Sequence, residues 1–405
     1  MNIDANEMFR LIEVAISALD QEWLSKEVKR INSLQPKPSP NFKILKIIDY
    51  ERQFHPLAYM VYKFRKTCEY SLQNNQPLKV TEEMHRLCFL GYWIEILKEK
   101  KVKGMEEKIR ALASNNHKAY EKTLFEIQVA AAYTRNGHLV EFVDTQEGRI
   151  GKTPDLLVDN SVEIECKKKD TKSPRDAKNR ELWKRINEQA DRSMDKHGYN
   201  YAVLIKTQED LTQQDIEFVN GELETIIGNK SQGDFGYENH GICITATFLS
   251  RKDEEIITDR IERAINEEFD YLMPTGNMMK RADGKHVIKN HREFAYRCAN
   301  PPDRVKSVIG SVNDAIKQFS GGKPALAYVN MNTIQNTLSE GDFKRLESMI
   351  TEVLINNSKL NAVVLTAEVF PTQKENSYEH RSRVIRNTTP KNSLSQDFLI
   401  IGETK

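Results

Sequence analysis

The stretch Thr153-Pro154-Asp155-Leu156-Leu157-Val158-Asp159-Asn160-Ser161-Val162-Glu163-Ile164-Glu165-Cys166-Lys167 constrains this chain more than any other. Two short apolar runs flank an Asp-Asn-Ser turn, a pattern that predicts a β-hairpin. Alternate side chains of a strand share a face, so Val162, Ile164 and Cys166 are expected on one side and Glu163, Glu165 and Lys167 on the other. An acid and a base then stand together at the strand's end, and the hairpin brings Asp155 close to Glu165. Two neighbouring carboxylates repel unless one is protonated or a cation joins them. Carboxylates, a main-chain carbonyl and water are hard oxygen ligands suited to Mg²⁺ or Mn²⁺, an ion that stabilises charge on a phosphate and activates a water. Lys167 is placed to orient or deprotonate that water, or to neutralise charge in the transition state.

Around the hairpin the chain changes texture. Met8, Leu11, Ile12, Ala15, Ile16, Leu19 and Trp23 recur at helical spacing, and three prolines from Pro36 to Pro40 interrupt the pattern. Further helices are expected over 59–72, 81–98 with Thr81 as cap, and 104–113, so residues 1–115 read as an α-helical N-terminal region. A long helix over 119–136 then precedes strands at 139–143, 154–158 and 162–167, a helix at 180–196 and an apolar strand at 201–206. Beyond 240, strands are expected at 242–249, 325–329, 362–369 and 398–401, with helices near 256–268, 302–319 and 340–356. The least organised stretch is 274–302. The expected division is 1–115, a core over 116–250, and a C-terminal α/β region over 251–405 that either continues the core or stands apart from it.

These residues resemble the PD-(D/E)xK nuclease superfamily. Pro154-Asp155 and Glu165-Cys166-Lys167 match its motif across a short hairpin, and the helix Thr123-Leu124-Phe125-Glu126-Ile127-Gln128-Val129-Ala130 is similar to the family's first core helix. The resemblance covers about residues 119 to 206. It implies an α/β, restriction-endonuclease-like mixed sheet flanked by helices. It also implies metal ligation by Asp155, Glu165 and the carbonyl of Cys166, with Glu126 binding directly or through water, and Asp155, Glu165, Lys167 and Glu126 as the catalytic set. Gln189, in the helix after the motif, sits where some relatives keep a glutamine; the tyrosine that some place four residues later is Ser193 here.

The remaining candidates each carry a plainer alternative. Lys168 and Lys169 either touch a phosphate backbone or form a solvated strand end. Glu163 is a spare ligand or a solvated neighbour, and Cys166 is expected to pack in the core. Lys280, Arg281 and Arg292, interspersed with Phe294 and Tyr296, read either as a nucleic-acid-facing loop or as a charged surface loop. Gly321-Gly322-Lys323 lacks the phosphate-loop frame and reads as a helix-ending turn.

Composition narrows the setting. With 60 basic and 59 acidic residues, net charge +1, attraction to nucleic acid has to come from local patches. The five cysteines form no C-x-x-C pair and the nine histidines no H-x-x-x-H pair, which argues against a disulfide framework and a structural zinc. No leader or membrane span is evident, so a cytoplasmic protein is expected. The expected function is an Mg²⁺- or Mn²⁺-dependent endonuclease acting on DNA, in defence, restriction or repair. A homodimer and an activating partner protein or ligand are both compatible with it. The alternatives are an RNase or single-strand nuclease using the same site, and a non-catalytic binding or scaffold protein of the same fold.

Overall fold

The computed structural model describes residues 4–34, 54–78, 80–113, 117–143, 153–169, 174–257, 265, 269, 271–281, 283, 286–300, 303–331, 340–369 and 379–402. The proline-rich stretch 36–40 lies outside them. No helix among the described residues is long and apolar enough to cross a membrane. The chain divides into two compact units, and it leaves the first for the second after Thr171 and returns at Arg304. The span 116–250 is therefore shared between the two units.

The first unit opens with α1 (Ala5–Ser17), α2 (Gln21–Ser33), α3 (Pro56–Gln73), α4 (Glu82–Glu99), α5 (Met105–Leu112) and α6 (His117–Arg135). The single helix expected from Met8 is two, because the Asp20 carboxylate accepts from the Glu22 and Trp23 amides and caps a new start. Thr81 caps α4 as expected, accepting from the Met84 amide. The hairpin follows α6: β1 (Val140–Phe142), β2 (Leu156–Val158) and β3 (Val162–Lys168), paired antiparallel with Leu156 opposite Ile164. Its turn forms because Asp159 and Asn160 take φ of 50° and 56°, a left-handed conformation that Asp and Asn tolerate.

The second unit holds α7 (Pro174–His197), β4 (Tyr199–Thr207), α8 (Gln213–Gly228), β5 (Gly233–Tyr237), β6 (Ile242–Arg251), β7 (Glu255–Ile257), β8 (Tyr271–Lys280) and β9 (His286–Cys298). These strands form a mixed sheet of order β5-β6-β4-β9-β7, with β8 also paired to β9. Its core joins apolar side chains of α7 and α8, such as Ile186, Met194, Val219 and Ile227, to Val203, Ile205, Ile244 and Phe294 of the sheet. Two expectations change here. Within 274–302 the described residues form the paired strands β8 and β9 and not a disorganised segment, and the helix expected near 256–268 begins in strand β7; most of the rest of that stretch lies outside the described residues.

Back in the first unit, α9 (Arg304–Ile316), β10 (Ala325–Asn330), α10 (Glu340–Asn356), β11 (Ala362–Val369) and β12 (Glu379–Arg386) complete a mixed sheet of order β1-β2-β3-β10-β11-β12. β10 lies parallel to β3, Ala327 opposite Glu165, and α9 and α10 cover it through Val308, Val312, Leu346 and Ile350. The strand beside the hairpin is thus β10. β4, the 201–206 strand expected in the same core, belongs to the other sheet. The strand expected at 398–401 does not form, because Phe398 packs its ring against Tyr133 and His138 instead.

Candidate functional site

With β2 on one side and β10 on the other, β3 is interior to its sheet, and its residues from Val162 to Cys166 are buried on both faces. Charge placed there needs partners. Glu126, Asp155 and Glu165 are each no more than 2% exposed. They converge from α6, the start of β2 and the end of β3, and three lysines reach them. Lys108 of α5 pairs with Glu126 Oε2. Lys122 Nζ stands 3.1 Å from both Glu126 Oε1 and Asp155 Oδ1. Lys167 Nζ is 2.6 Å from Glu165 Oε1.

Backbone geometry joins the two strands of the site. The Glu163 amide donates to the Pro324 carbonyl and the Lys169 amide to that of Asn330, so odd residues of β3 turn their amides to β10 and even ones to β2. β2 begins at Leu156, opposite Ile164, which leaves Cys166 past its end. There the Cys166 amide donates to Asp155 Oδ2 at 2.7 Å, and the Asp155 amide donates to Glu165 Oε2 at 3.2 Å. By the same alternation the Cys166 carbonyl faces the Asp155 side.

The electrostatics record the crowding. Burial, then the Asp155 carboxylate, pushes Glu126 up to about 7 against the pull of Lys108 and Lys122. Glu165 is pushed up to about 8 by burial and by Asp155, with Lys167 opposing. For Lys122, burial works to lower the pKa, but the Asp155 and Glu126 carboxylates outweigh it and hold the ammonium above the usual lysine range. Three acids against three lysines leave the cluster near neutral, yet two acids still ionise reluctantly.

Among the described residues no three His, Cys, Asp or Glu side chains are grouped as ready metal ligands. The donor chemistry nevertheless fits a hard divalent cation. Glu126 Oε1 is buried without a hydrogen-bond donor, its contact with Lys122 being an ion pair only. Lys122, whose side chain is 45% exposed, already puts a cation between the Asp155 and Glu126 carboxylates.

Glu126, Asp155, Glu165 and Lys167 are therefore brought together, with Cys166 between the last two. Burial, then the nearby carboxylates, pushes the Cys166 thiol well above its ordinary value, so it packs as a core residue and is no nucleophile. Four other expectations are corrected or refined. Glu163 is no solvated neighbour: it is buried, and its Oε2 accepts from the Ser320 amide at 2.9 Å. Lys168 is tied to Glu121 of α6, bracing helix against strand. Arg292 cannot face a nucleic acid, because it is buried and spans Asn200 Oδ1 at 2.9 Å, Asp191 and Asp195 Oδ1 at 2.7 Å. Arg281 is exposed, 3.8 Å from Glu255 and Asp283, and with the backbone of Lys280 it lies at the β8 end of the β8–β9 hairpin.

Gln189, half-buried on α7, and Arg281 belong to the second unit, whereas the carboxylate cluster belongs wholly to the first. Lys169 continues β3, its amide bonded to Asn330. Sequence reasoning missed Lys108 and Lys122. No family model, curated protein or solved structure matches the chain.

Proposed function

We propose that the first unit is a metal-dependent nuclease of the restriction-endonuclease-like type that hydrolyses phosphodiester bonds in DNA. One observation carries the reading: Glu126, Asp155, Glu165 and Lys167, from three elements, meet in one buried cluster where two acids are pushed up to about 7 and 8. The element order supports it: α6, the three strands β1 to β3, α9 and then β10 parallel to β3 give a helix, a meander, a helix and a strand around the motif.

Asp155, Glu165, the Cys166 carbonyl and Glu126 would hold Mg²⁺ or Mn²⁺, which when bound supplies charge stabilisation at the scissile phosphate and a more acidic water. Lys122, whose side chain is half-exposed, would swing toward solvent to vacate the space between Asp155 and Glu126. Lys108 opposes the burial penalty on Glu126 from the buried side. Lys167, anchored on Glu165 Oε1, directs its ammonium at the reacting phosphate or at the attacking water, where a fixed positive charge favours the more negative transition state. Lys169 continues the strand from this point, and its positive charge suits a polyanion.

The test is incubation of the purified chain with plasmid, linear and single-stranded DNA and with RNA, in Mg²⁺, Mn²⁺ or EDTA. The expected result is metal-dependent DNA cleavage that falls by about 10²-fold or more in Asp155→Ala and Lys167→Ala. Preferential cleavage of RNA or single strands would move the same site to another polymer. The second reading, a non-catalytic scaffold, draws on the pairing of every acid with a lysine. It predicts no cleavage of any substrate and no calorimetric uptake of Mg²⁺ or Mn²⁺ at about 5 mM.

A further inference from the structure

The carboxylate cluster already holds a cation between two of its acids. Lys122 Nζ lies 3.1 Å from Glu126 Oε1 and 3.1 Å from Asp155 Oδ1, bridging carboxylates that come from different elements. Its exposure sets it apart from its neighbours. The side chains of Glu126, Asp155 and Glu165 are no more than 3% exposed, that of Lys108 is 6% and that of Lys167 21%, whereas that of Lys122 is 45% exposed. Of these six side chains, Lys122 is the one at the mouth of the cluster.

Its attachment is also the easiest to exchange. Glu126 Oε1 receives an ion pair from Lys122 but no hydrogen bond, and the ammonium is a point charge on a flexible four-carbon stem. An arginine fork would have locked the two carboxylates together. Lys108, paired with the other oxygen of Glu126, is buried and has no such route to solvent.

Charge decides what an exchange would do. With every acid ionised, three lysines neutralise three carboxylates, as a buried cluster requires. A divalent cation set between Asp155 and Glu126 would be repelled at short range by an ammonium in the same place, so the two exclude each other. Exchanging one for the other takes the cluster from neutral to positive, and the displaced ammonium adds a further positive charge at the mouth. A neutral cluster exerts little pull on a phosphodiester, whereas a positive one attracts it.

We propose that Lys122 is a charge gate on the metal position. In the resting chain it closes that position and keeps the cluster neutral; when it moves out, the position opens and the mouth turns positive toward a phosphate backbone. The proposal rests on the nuclease reading of this cluster, and it adds that metal loading and phosphate attraction are one event.

The experiment has two readouts on the full chain, neither of them cleavage. The first is acetylation of lysines by an amine-reactive ester, followed by mass spectrometry, with and without Mg²⁺ or Mn²⁺. Labelling of Lys122 relative to Lys108 is expected to rise severalfold with the metal. The second is calorimetric titration of Mg²⁺ and Mn²⁺ into wild type, Lys122→Met and Lys122→Arg. Lys122→Met should bind about tenfold or more tighter than wild type, and Lys122→Arg no tighter. Uptake by Lys122→Met alone would also bear the gate out, since the lysine then excludes the ion. The labelling uses unaltered protein, so a Lys122→Met chain that fails to fold leaves the test intact. Wild-type uptake with the labelling ratio unchanged overturns the gate and leaves the nuclease reading standing, as does a folded Lys122→Met that binds no tighter. No uptake of either ion at about 5 mM by wild type and by folded Lys122→Met overturns both.

Discussion

Glu165 and Glu126 are where single residues control this protein's response to pH. Their folded pKa values, about 8 and about 7, stand above the ordinary value of 4.5. Below about 4.5 both folded and unfolded chains hold these protons and no penalty exists. As pH rises from there toward 8 the unfolded chain releases protons that the folded chain keeps, so stability falls through that window and levels off above it. The fall is on the order of 3 kcal/mol for Glu126 and 5 kcal/mol for Glu165. Thermal melts between about pH 5 and pH 8 are therefore expected to show a declining midpoint, with a shallower decline in Glu165→Gln. Because a cation binds the ionised form, Mg²⁺ should raise the midpoint more at the alkaline end. A midpoint flat across the window in wild type would remove the basis of this account. The acids behind this behaviour were legible from local pattern, since motif and hairpin spacing alone place Asp155, Glu165 and Lys167. Their lysines left weaker traces. Lys122 precedes Glu126 by one helical turn. Lys108 shares the buried face of α5 with Met105, Ile109 and Leu112, an odd position for a charge. Arg292 misled because a basic and aromatic string reads alike in a solvated loop and in a buried strand, and its partners Asp191 and Asp195 lie on α7, far back in the sequence.

Among the elements, α1 and α4 show how little tolerance the helical region has. Gly91 of α4 lies against the backbone of α1, and a Cβ there would sit 1.8 Å from the Leu11 carbonyl oxygen and 3.2 Å from the Ala15 amide. Backbone cannot withdraw as a flexible side chain can, so the helices would have to separate and open the contacts of Leu11, Ile12 and Ala15. Gly91→Ala, normally favourable in a helix interior by about 1 kcal/mol, is expected here to cost on the order of 3 kcal/mol. Denaturant titration checks this, and a variant as stable as the parent would mean that α1 and α4 pack otherwise. The helical spacing of 1–115 predicted these elements but not this crossing, because periodicity marks a buried face without naming what covers it. The same limit explains the strands. β2 and β3 were legible because their partner is adjacent in sequence. β10, the other neighbour of β3, arrives more than 150 residues later, and an apolar run such as that of β4 fits either sheet equally well on sequence alone. In β9 the six residues from His291 to Tyr296 are all buried, and the polar side chains of His291, Arg292 and Glu293 hid the strand.

At the scale of the whole molecule, residues 172–303 of the second unit read as an insertion in a single crossover. Parallel strands need a connection that returns to the starting edge, usually a helix, and β3, α9 and β10 form that unit in the first sheet. β10 begins opposite Glu163 near the start of β3, and α9 packs on both strands, so the chain between β3 and α9 has little distance to cover. A loop of about 2–6 residues ordinarily serves there. Here the route is occupied by Lys172–Asp303, whose α7, α8 and sheet enclose their own apolar core. Among the described residues, the carboxylate cluster draws on α5, α6, the start of β2 and β3, and the core around α9 and α10 on residues of the first unit. Replacing 172–303 by a short Gly/Ser linker is therefore expected to leave a cooperatively melting protein with helical far-UV circular dichroism and with the same decline of melting point between about pH 5 and pH 8. The excised 172–303 segment, expressed alone, should also melt cooperatively, since its sheet and both helices are complete within it. An unfolded linker protein, with the isolated segment folded, would mean that the insertion supplies stability the first sheet lacks. If the linker protein keeps metal-dependent cleavage, the catalytic unit is the first one entire, and the insertion is left with the tasks of selecting, delivering or regulating substrate.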